Sequence, residues 1–260
     1  MWILTIFATV FINSADPCTY GKALEQRSPE TVRIASFNIQ VFGTSKMAKA
    51  HVVDTLAKVI RNFDVVAIQE VRAKSNDVIP SFVKHVNADG SSYQYVIGPR
   101  LGRTVSKEQY TFLYDTRRIE VDTTSVGTMH DPGDRLHRPP LFVRFRSRMV
   151  PPEQSFTFWM INIHTDPDEV PEEVDALADA FLALKMARPD EDDIILLGDL
   201  NAAPKQFDRL GTLDNISWPC LAQQPIPAVQ KPMTILSFSE QRLVNIQVVG
   251  VFLIYKIHMA

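Results

Sequence analysis

Residues 194–197, Ile-Ile-Leu-Leu, run without a polar side chain straight into Gly198, Asp199, Leu200 and Asn201. No other stretch constrains the fold as tightly. A short continuous apolar run that stops at a turn signal reads as a strand buried inside a layered protein. An acidic residue at its end is costly there unless it is paired or binds something.

The rest of the chain supplies layers around such a strand. Residues 32–43, VRIASFNIQVFG, read as a strand of β-branched and aromatic residues ended by Gly43. Residues 45–63 are helical in pattern, with Val52, Val53, Leu56, Val59 and Ile60 on one face and Ser45 as candidate N-cap. DVVAIQEV (64–71) is a short buried strand, and 76–89 reads as a helix with Pro80 near its first turn. Strand candidates follow at 93–98, 109–115, 118–127, 141–149 and 155–164, with a loop rich in Asp, Pro, Gly and Arg at 130–140. Residues 169–187 form a helix with Ala, Leu and Phe on one side and acids on the other. Alternating strands and helices argue for an α/β class, and the long hairpins argue against a purely parallel sheet. Two mixed sheets packed as a sandwich with helices outside satisfy both.

Composition narrows the classes. A chain of 260 residues with 45% hydrophobic and 22% charged residues is an ordinary globular composition. A net charge of −3 excludes a globally basic nucleic-acid binder but leaves room for a local basic groove. Cys18 and Cys220 are too few for a disulfide framework or a zinc site, and read as unpaired thiols. The apolar run from Trp2 to Ile12 has the length of a signal-peptide core and is too short for a bilayer. No Lys or Arg precedes it and its cleavage site is poor, so secretion and a cytoplasmic protein with an N-terminal extension both stay open. No other segment reaches a membrane-spanning length, and a monomer is expected.

Four apolar strands end alike. The first carries Asn38, the second ends in Glu70, MINIH ends in His164 with Asp166 behind it, and the run at 194–197 leads to Asp199 and Asn201. Strand ends are where layered α/β folds place ligands. Asn38, Glu70, Asp199 and Asn201 all offer oxygen, and Mg²⁺ is held by one or two carboxylates plus waters. Carboxylate-held Mg²⁺ beside a histidine suits phosphate-ester hydrolysis, the metal stabilising phosphoryl charge and the histidine moving a proton.

Five ordered stretches, IASFNIQVFG, VVAIQEVR, LGRTVSKEQYTFLYD, INIHTDPDE and ILLGDLNA, closely resemble the endonuclease/exonuclease/phosphatase superfamily and, within it, the DNase I-like nucleases. The resemblance covers about residues 31–218. LGRTVSKEQY is closer to DNase I-like members than to abasic-site endonucleases. The resemblance implies a four-layer sandwich with the site at one edge, DNA as substrate, and Mg²⁺ as cofactor, or Mn²⁺ or Ca²⁺ in its place. It makes Glu70 the principal metal ligand with Asn38 beside it. His164 becomes the general acid or base, oriented by Glu108, whose carboxylate fixes the imidazole tautomer. Asp199 and Asn201 become second-metal and phosphate-contacting groups. Arg72, Arg103, Arg138 and Tyr110 fall among the substrate contacts.

The resemblance stops near Trp218. The family's Tyr-Asp strand and its closing Ser-Asp-His are not found after GDLNA. Residues 219–260 are expected to be a divergent tail, read either as a replaced or truncated end that removes the last strands, or as a divergent last strand without the second histidine. His51 and His85 fall on helices, and His258 has no preceding Asp. A phosphatase or lipid phosphodiesterase of the same superfamily, and a non-catalytic DNA-binding remnant, are the competing readings.

Overall fold

The computed structural model describes residues 31–214, Ile216, Ser217 and Met233–Ser237. The apolar N-terminal segment, both cysteines, His258 and most of residues 219–260 lie outside the described residues, and with them the expectations about export, thiols and tail.

Two mixed sheets face each other. The first has four strands in the order β1 (Ile34–Phe42), β2 (Val65–Val71), β4 (Gln109–Asp115), β3 (Tyr93–Ile97). The second has six, in the order β5 (Ile119–Thr128), β6 (Leu141–Ser147), β7 (Thr157–His164), β8 (Ile194–Asp199), β10 (Met233–Ser237), β9 (Ile216–Ser217). Strand alternation splits β2 between two cores. Val65 and Ala67 enter the sandwich interior with Phe112, Phe145, Phe158 and Met160. Val66 and Ile68 meet the helices α2 (Ala50–Ile60) and α3 (Val78–Val86) on the outer face. On the second sheet, α4 (Val170–Ala187) lays Val174, Leu177, Phe181 and Leu184 into the core, with the short α5 (Asp208–Gly211) beside it. All six residues of β8 are buried, as its apolar run requires.

Each sheet contains one parallel pair, β1 with β2 and β7 with β8, and each pair is joined through helices: α1 (Thr44–Met47) and α2 in the first, α4 in the second. Parallel neighbours need such a crossover, and it leaves both strands of a pair ending at the same edge.

Three helical expectations change. The helix read at 45–63 is two helices, because Lys49 leaves the helical region (φ −95°, ψ 89°). Ser45 lies inside α1 rather than capping it, and Gly43 precedes the helix instead. The helix read at 76–89 runs over Val78–Val86, then tightens into a 3₁₀ turn at Asn87–Asp89 that stops at Gly90 (φ 90°). Met233–Ser237, within the segment read as a divergent tail, pairs antiparallel with β8. Among the described residues no helix is long and apolar enough to cross a membrane.

Candidate active site

The ends of the two parallel pairs line one cleft, bounded by Asn38, Gln40, Glu70, Arg72, Glu108, Arg138, His164, Asp166, Pro167, Asp199 and Asn201. Glu70 is aimed into it by a bulge. Ile68 pairs with Thr111 and Val71 with Gln109, so Gln69 and Glu70 stand against Tyr110 alone. Against β1, residues 39–41 stand opposite Glu70. Bulges re-aim side chains beside active sites, and this one puts Gln40, Val41 and Glu70 at positive φ (46°, 52° and 61°). Such backbone persists only where surroundings enforce it. Here Val41 N–H donates to Glu70 Oε2 at 2.8 Å. Lys46, from α1, donates to the carbonyls of Ile39 (2.6 Å) and Gln40. Burial lowers the pKa of that ammonium, and the nearby Glu70 charge offsets the shift only in part.

Asn38 joins the sheets. Its Nδ2 donates to Glu70 Oε1 at 3.1 Å and to Asp199 Oδ2 at 3.0 Å, while its Oδ1 accepts Gln40 N–H at 2.8 Å. In this geometry the amide clamps two carboxylates together. Asn201, at φ 47°, donates its backbone N–H to Asp199 Oδ1 and its Nδ2 to Thr165 O at 2.8 Å.

Across the cleft, His164 Nδ1 meets Glu108 Oε2 at 2.8 Å. Arg72 reaches both Glu108 Oε1 (2.8 Å) and Glu70 Oε2 (3.2 Å), and Arg138 lies 3.6 Å from Glu108. Burial would raise the Glu108 pKa, but the His164 hydrogen bond and the Arg138 and Arg72 charges outweigh it and hold the carboxyl below its usual range. With Nδ1 engaged, Nε2 is the nitrogen left to exchange a proton with substrate.

Two residues expected among the substrate contacts sit elsewhere. Tyr110 is buried below the cleft, its hydroxyl accepting His164 N–H at 3.0 Å and donating toward the carbonyls of Arg138 (3.1 Å) and His164 (3.3 Å). Arg103 does not line the cleft; it pairs with Asp134 and Glu169 and so ties three loops together. Sequence reasoning also missed Lys46 and Glu173. Glu173, fully buried in the first turn of α4, accepts the backbone N–H groups of His137 and Asp166, both at 2.5 Å, and so joins the loop of Arg138 to the loop after His164. Burial pushes its carboxyl up to about 7, against those two hydrogen bonds. Acids in a first helical turn are ordinarily solvated, so no pattern in EVPEEV distinguishes it.

The donor set fits a hard divalent cation. Four carboxylates line the cleft against two guanidiniums, a surplus of two negative charges. The acids are spaced along the cleft, in keeping with a metal that keeps several waters. Among the described residues the tightest acidic cluster is instead Glu191, Asp192 and Asp193, in the loop before β8, where Glu191 pairs with Arg144.

Known proteins agree with this architecture. Deoxyribonuclease gamma of Rattus norvegicus is 30% identical over 200 residues, covering 72% of this chain and 63% of its own length. Deoxyribonuclease-1 of Homo sapiens is 31% identical over 199 residues, 72% of this chain and 69% of its own. The chain thus spans about two thirds of the length of these relatives or less. A crystal structure of a functionally unknown conserved protein from Enterococcus faecalis V583 shares the fold at 16% identity and a TM-score of 0.55, covering 78% of this chain and 86% of that one. The model of the Endonuclease/Exonuclease/phosphatase family matches residues 35–242, beyond Trp218 and through β10. The chain belongs to the endonuclease/exonuclease/phosphatase family.

Proposed function

We propose that this chain is a Mg²⁺-dependent phosphodiesterase that cuts DNA internally. The observation that carries this reading is the cleft itself. It sets a carboxylate pair joined by Asn38 on one side and the His164–Glu108 pair on the other, with Arg72 reaching both and Arg138 beside Glu108. Glu70 and Asp199 would hold the metal, which supplies charge stabilisation on the phosphoryl oxygens. Arg72 and Arg138 place guanidinium donors against the phosphate, Asn201 adds an amide, and Glu108 orients His164 so that Nε2 exchanges a proton with the attacking water or the leaving oxygen. The kinship to two deoxyribonucleases supports DNA as the substrate. The same oxygen-rich cleft fits Mn²⁺ or Ca²⁺ as well.

The test is nicking of supercoiled plasmid by the purified chain with Mg²⁺, with EDTA, and with Glu70→Ala. Mg²⁺-dependent nicking that disappears in the variant is the expected result. A second reading is a DNA-binding protein without turnover. Salt-dependent DNA binding by a folded sample that does not nick would select it.

A further inference from the structure

His164 is not the only polar side chain that β7 turns toward the other sheet. Two residues earlier, on the same face by strand alternation, Asn162 is fully buried in the sandwich interior. Its Nδ2 donates to the carbonyl oxygens of Ile68 in β2 and Thr111 in β4, both at 3.2 Å. Its Oδ1 accepts Gln69 Nε2 at 2.7 Å. Gln69, also fully buried, contacts Ser36 Oγ of β1 through Nε2 at 3.1 Å and lies 3.4 Å from the carbonyl of Ala67. One asparagine of the second sheet therefore touches two strands of the first and, through Gln69, reaches a third.

The place of these contacts is specific. Ile68 and Thr111 are the last paired residues of β2 and β4 before the bulge, and Gln69 is its first member. A bulge interrupts the ladder and leaves backbone groups in need of partners. Asn162 supplies two donors there. Bringing an amide into an otherwise apolar interior is costly, and it is tolerated here because every one of its bonds goes to a buried group that would otherwise lack that partner. The network makes physical sense as a device for shape. Glu70 follows Gln69 directly, at φ 61°, and its carboxylate direction is set by the backbone on either side.

We propose that Asn162 is a positioning residue: by pinning the bulge of β2 from the opposite sheet, it sets the direction of the Glu70 carboxylate and its spacing from His164 and Asp199. The chain of action runs from Asn162 through Gln69 and the Ile68 and Thr111 carbonyls to Glu70, and Glu70 in turn accepts Val41 N–H. Its link to catalysis rests on the reading under Proposed function; its link to geometry does not.

The experiment uses the full 260-residue chain, with Asn162→Leu, which keeps the branch at Cγ in a somewhat larger side chain and removes the three bonds, and Gln69→Met, which cuts one arm should the first variant fold poorly. The first readout needs no metal: hydrogen exchange of the Val41 amide, whose acceptor is Glu70 Oε2. Protection at Val41 is expected to fall at least about tenfold in the variants while core amides of β6, such as Phe145, keep theirs. The second is Mn²⁺ binding followed by electron paramagnetic resonance without DNA. Affinity is expected to weaken by about 10- to 100-fold, the usual effect of removing a group that orients a ligand. A role confined to stability would lower the unfolding midpoint and leave both readouts at wild-type values, and that result overturns the inference. If the wild-type chain neither nicks DNA nor binds Mn²⁺, the proposed function fails, and exchange at Val41 still decides the inference.

Discussion

Gly198→Ala is the perturbation whose cost the structure fixes most closely. Gly198 has φ +152°, and a Cβ built on it would lie 1.8 Å from the carbonyl oxygen of Ile163, 2.8 Å from its carbonyl carbon and 3.0 Å from its Cγ2. The obstacle is backbone of the neighbouring strand, so no side-chain rotation relieves it. The dihedral alone costs an L-residue about 1–3 kcal/mol, and overpacking adds about 1–3 kcal/mol. The sum, about 2–6 kcal/mol, is a large share of the roughly 5–15 kcal/mol that holds a domain folded. Ile163 pairs with Gly198 and His164 with Asp199 in adjacent registers, so opening the ladder to admit the methyl also separates the histidine from the aspartate. A displacement of about 1 Å in a reacting constellation costs about 10²-fold in rate. Urea unfolding followed by the fluorescence of buried Trp159 measures the first effect, and plasmid nicking by the folded fraction the second. Gly133→Ala is the control, because its Cβ would meet only the Arg135 side chain at 3.4 and 3.5 Å. A Gly198→Ala protein within about 0.5 kcal/mol of wild type, the range of an ordinary surface substitution, and equally active would refute the reasoning.

Other perturbations separate stability from chemistry. Glu108→Gln removes the charge that orients His164 while keeping the shape; the proposed chemistry predicts a fall of about 10²- to 10⁴-fold in kcat with KM little changed, and near-wild-type turnover would remove Glu108 from that role. Asp64→Ala breaks the buried pair with Arg118 (2.6 Å) far from the cleft; about 3–5 kcal/mol should be lost in urea melts while the folded fraction keeps its kcat, and a loss below about 1 kcal/mol would contradict the buried-pair argument. Glu173 binds its proton more tightly folded than unfolded, since its carboxyl is raised to about 7. Its contribution is therefore complete below the unfolded carboxylate pKa and is lost as pH rises through about 7. Between about pH 4 and pH 8 the wild type should lose about 3 kcal/mol that Glu173→Gln does not, and parallel pH profiles of the two would show that Glu173 does not titrate this way.

Much of the site was legible because polarity at the end of an apolar strand is a visible anomaly. Asn38, Glu70, His164 and Asp199 each interrupt or end a buried run, and the structure gathers all four. Tyr110 shows where that signal stops. Glu108 and Tyr110 are two apart, so they share the inward face; Glu108 lies at the sheet's end and opens onto the cleft, while Tyr110, one step deeper, goes beneath it. Arg103 belongs to the loop region of the resemblance, but its partners Asp134 and Glu169 come from loops whose meeting no local pattern encodes. The break near Lys49 was hidden for a similar reason. The apolar face that predicts α2 is real, but Lys46 is drawn back to the bulge of β1, which local periodicity does not report. Asn162 was the missed opportunity: a polar residue in the middle of MINIH had to find partners, and they sit across the sandwich.

The contacts that build the cleft cross from one sheet to the other. Asn38 of β1 meets Asp199 of β8, Glu108 meets His164 of β7, Tyr110 of β4 holds the backbone of His164, and Gln69 of β2 meets Asn162 of β7. Neither sheet carries a complete constellation: one brings Glu70 and Glu108, the other His164 and Asp199. The proposed activity would therefore depend on sheet-to-sheet spacing, which the apolar interior maintains. The same logic gives the C-terminal segment a physical role. Without β10, β8 would be left with one side of its ladder open, and unpaired strand edges fray or recruit other chains. β10 pairs Met233 with Gly198 and Ser237 with Ile194. It thereby covers the length of β8 up to the residue before Asp199. Met233–Ser237 thus help to hold the strand that carries this aspartate in the sheet that carries His164.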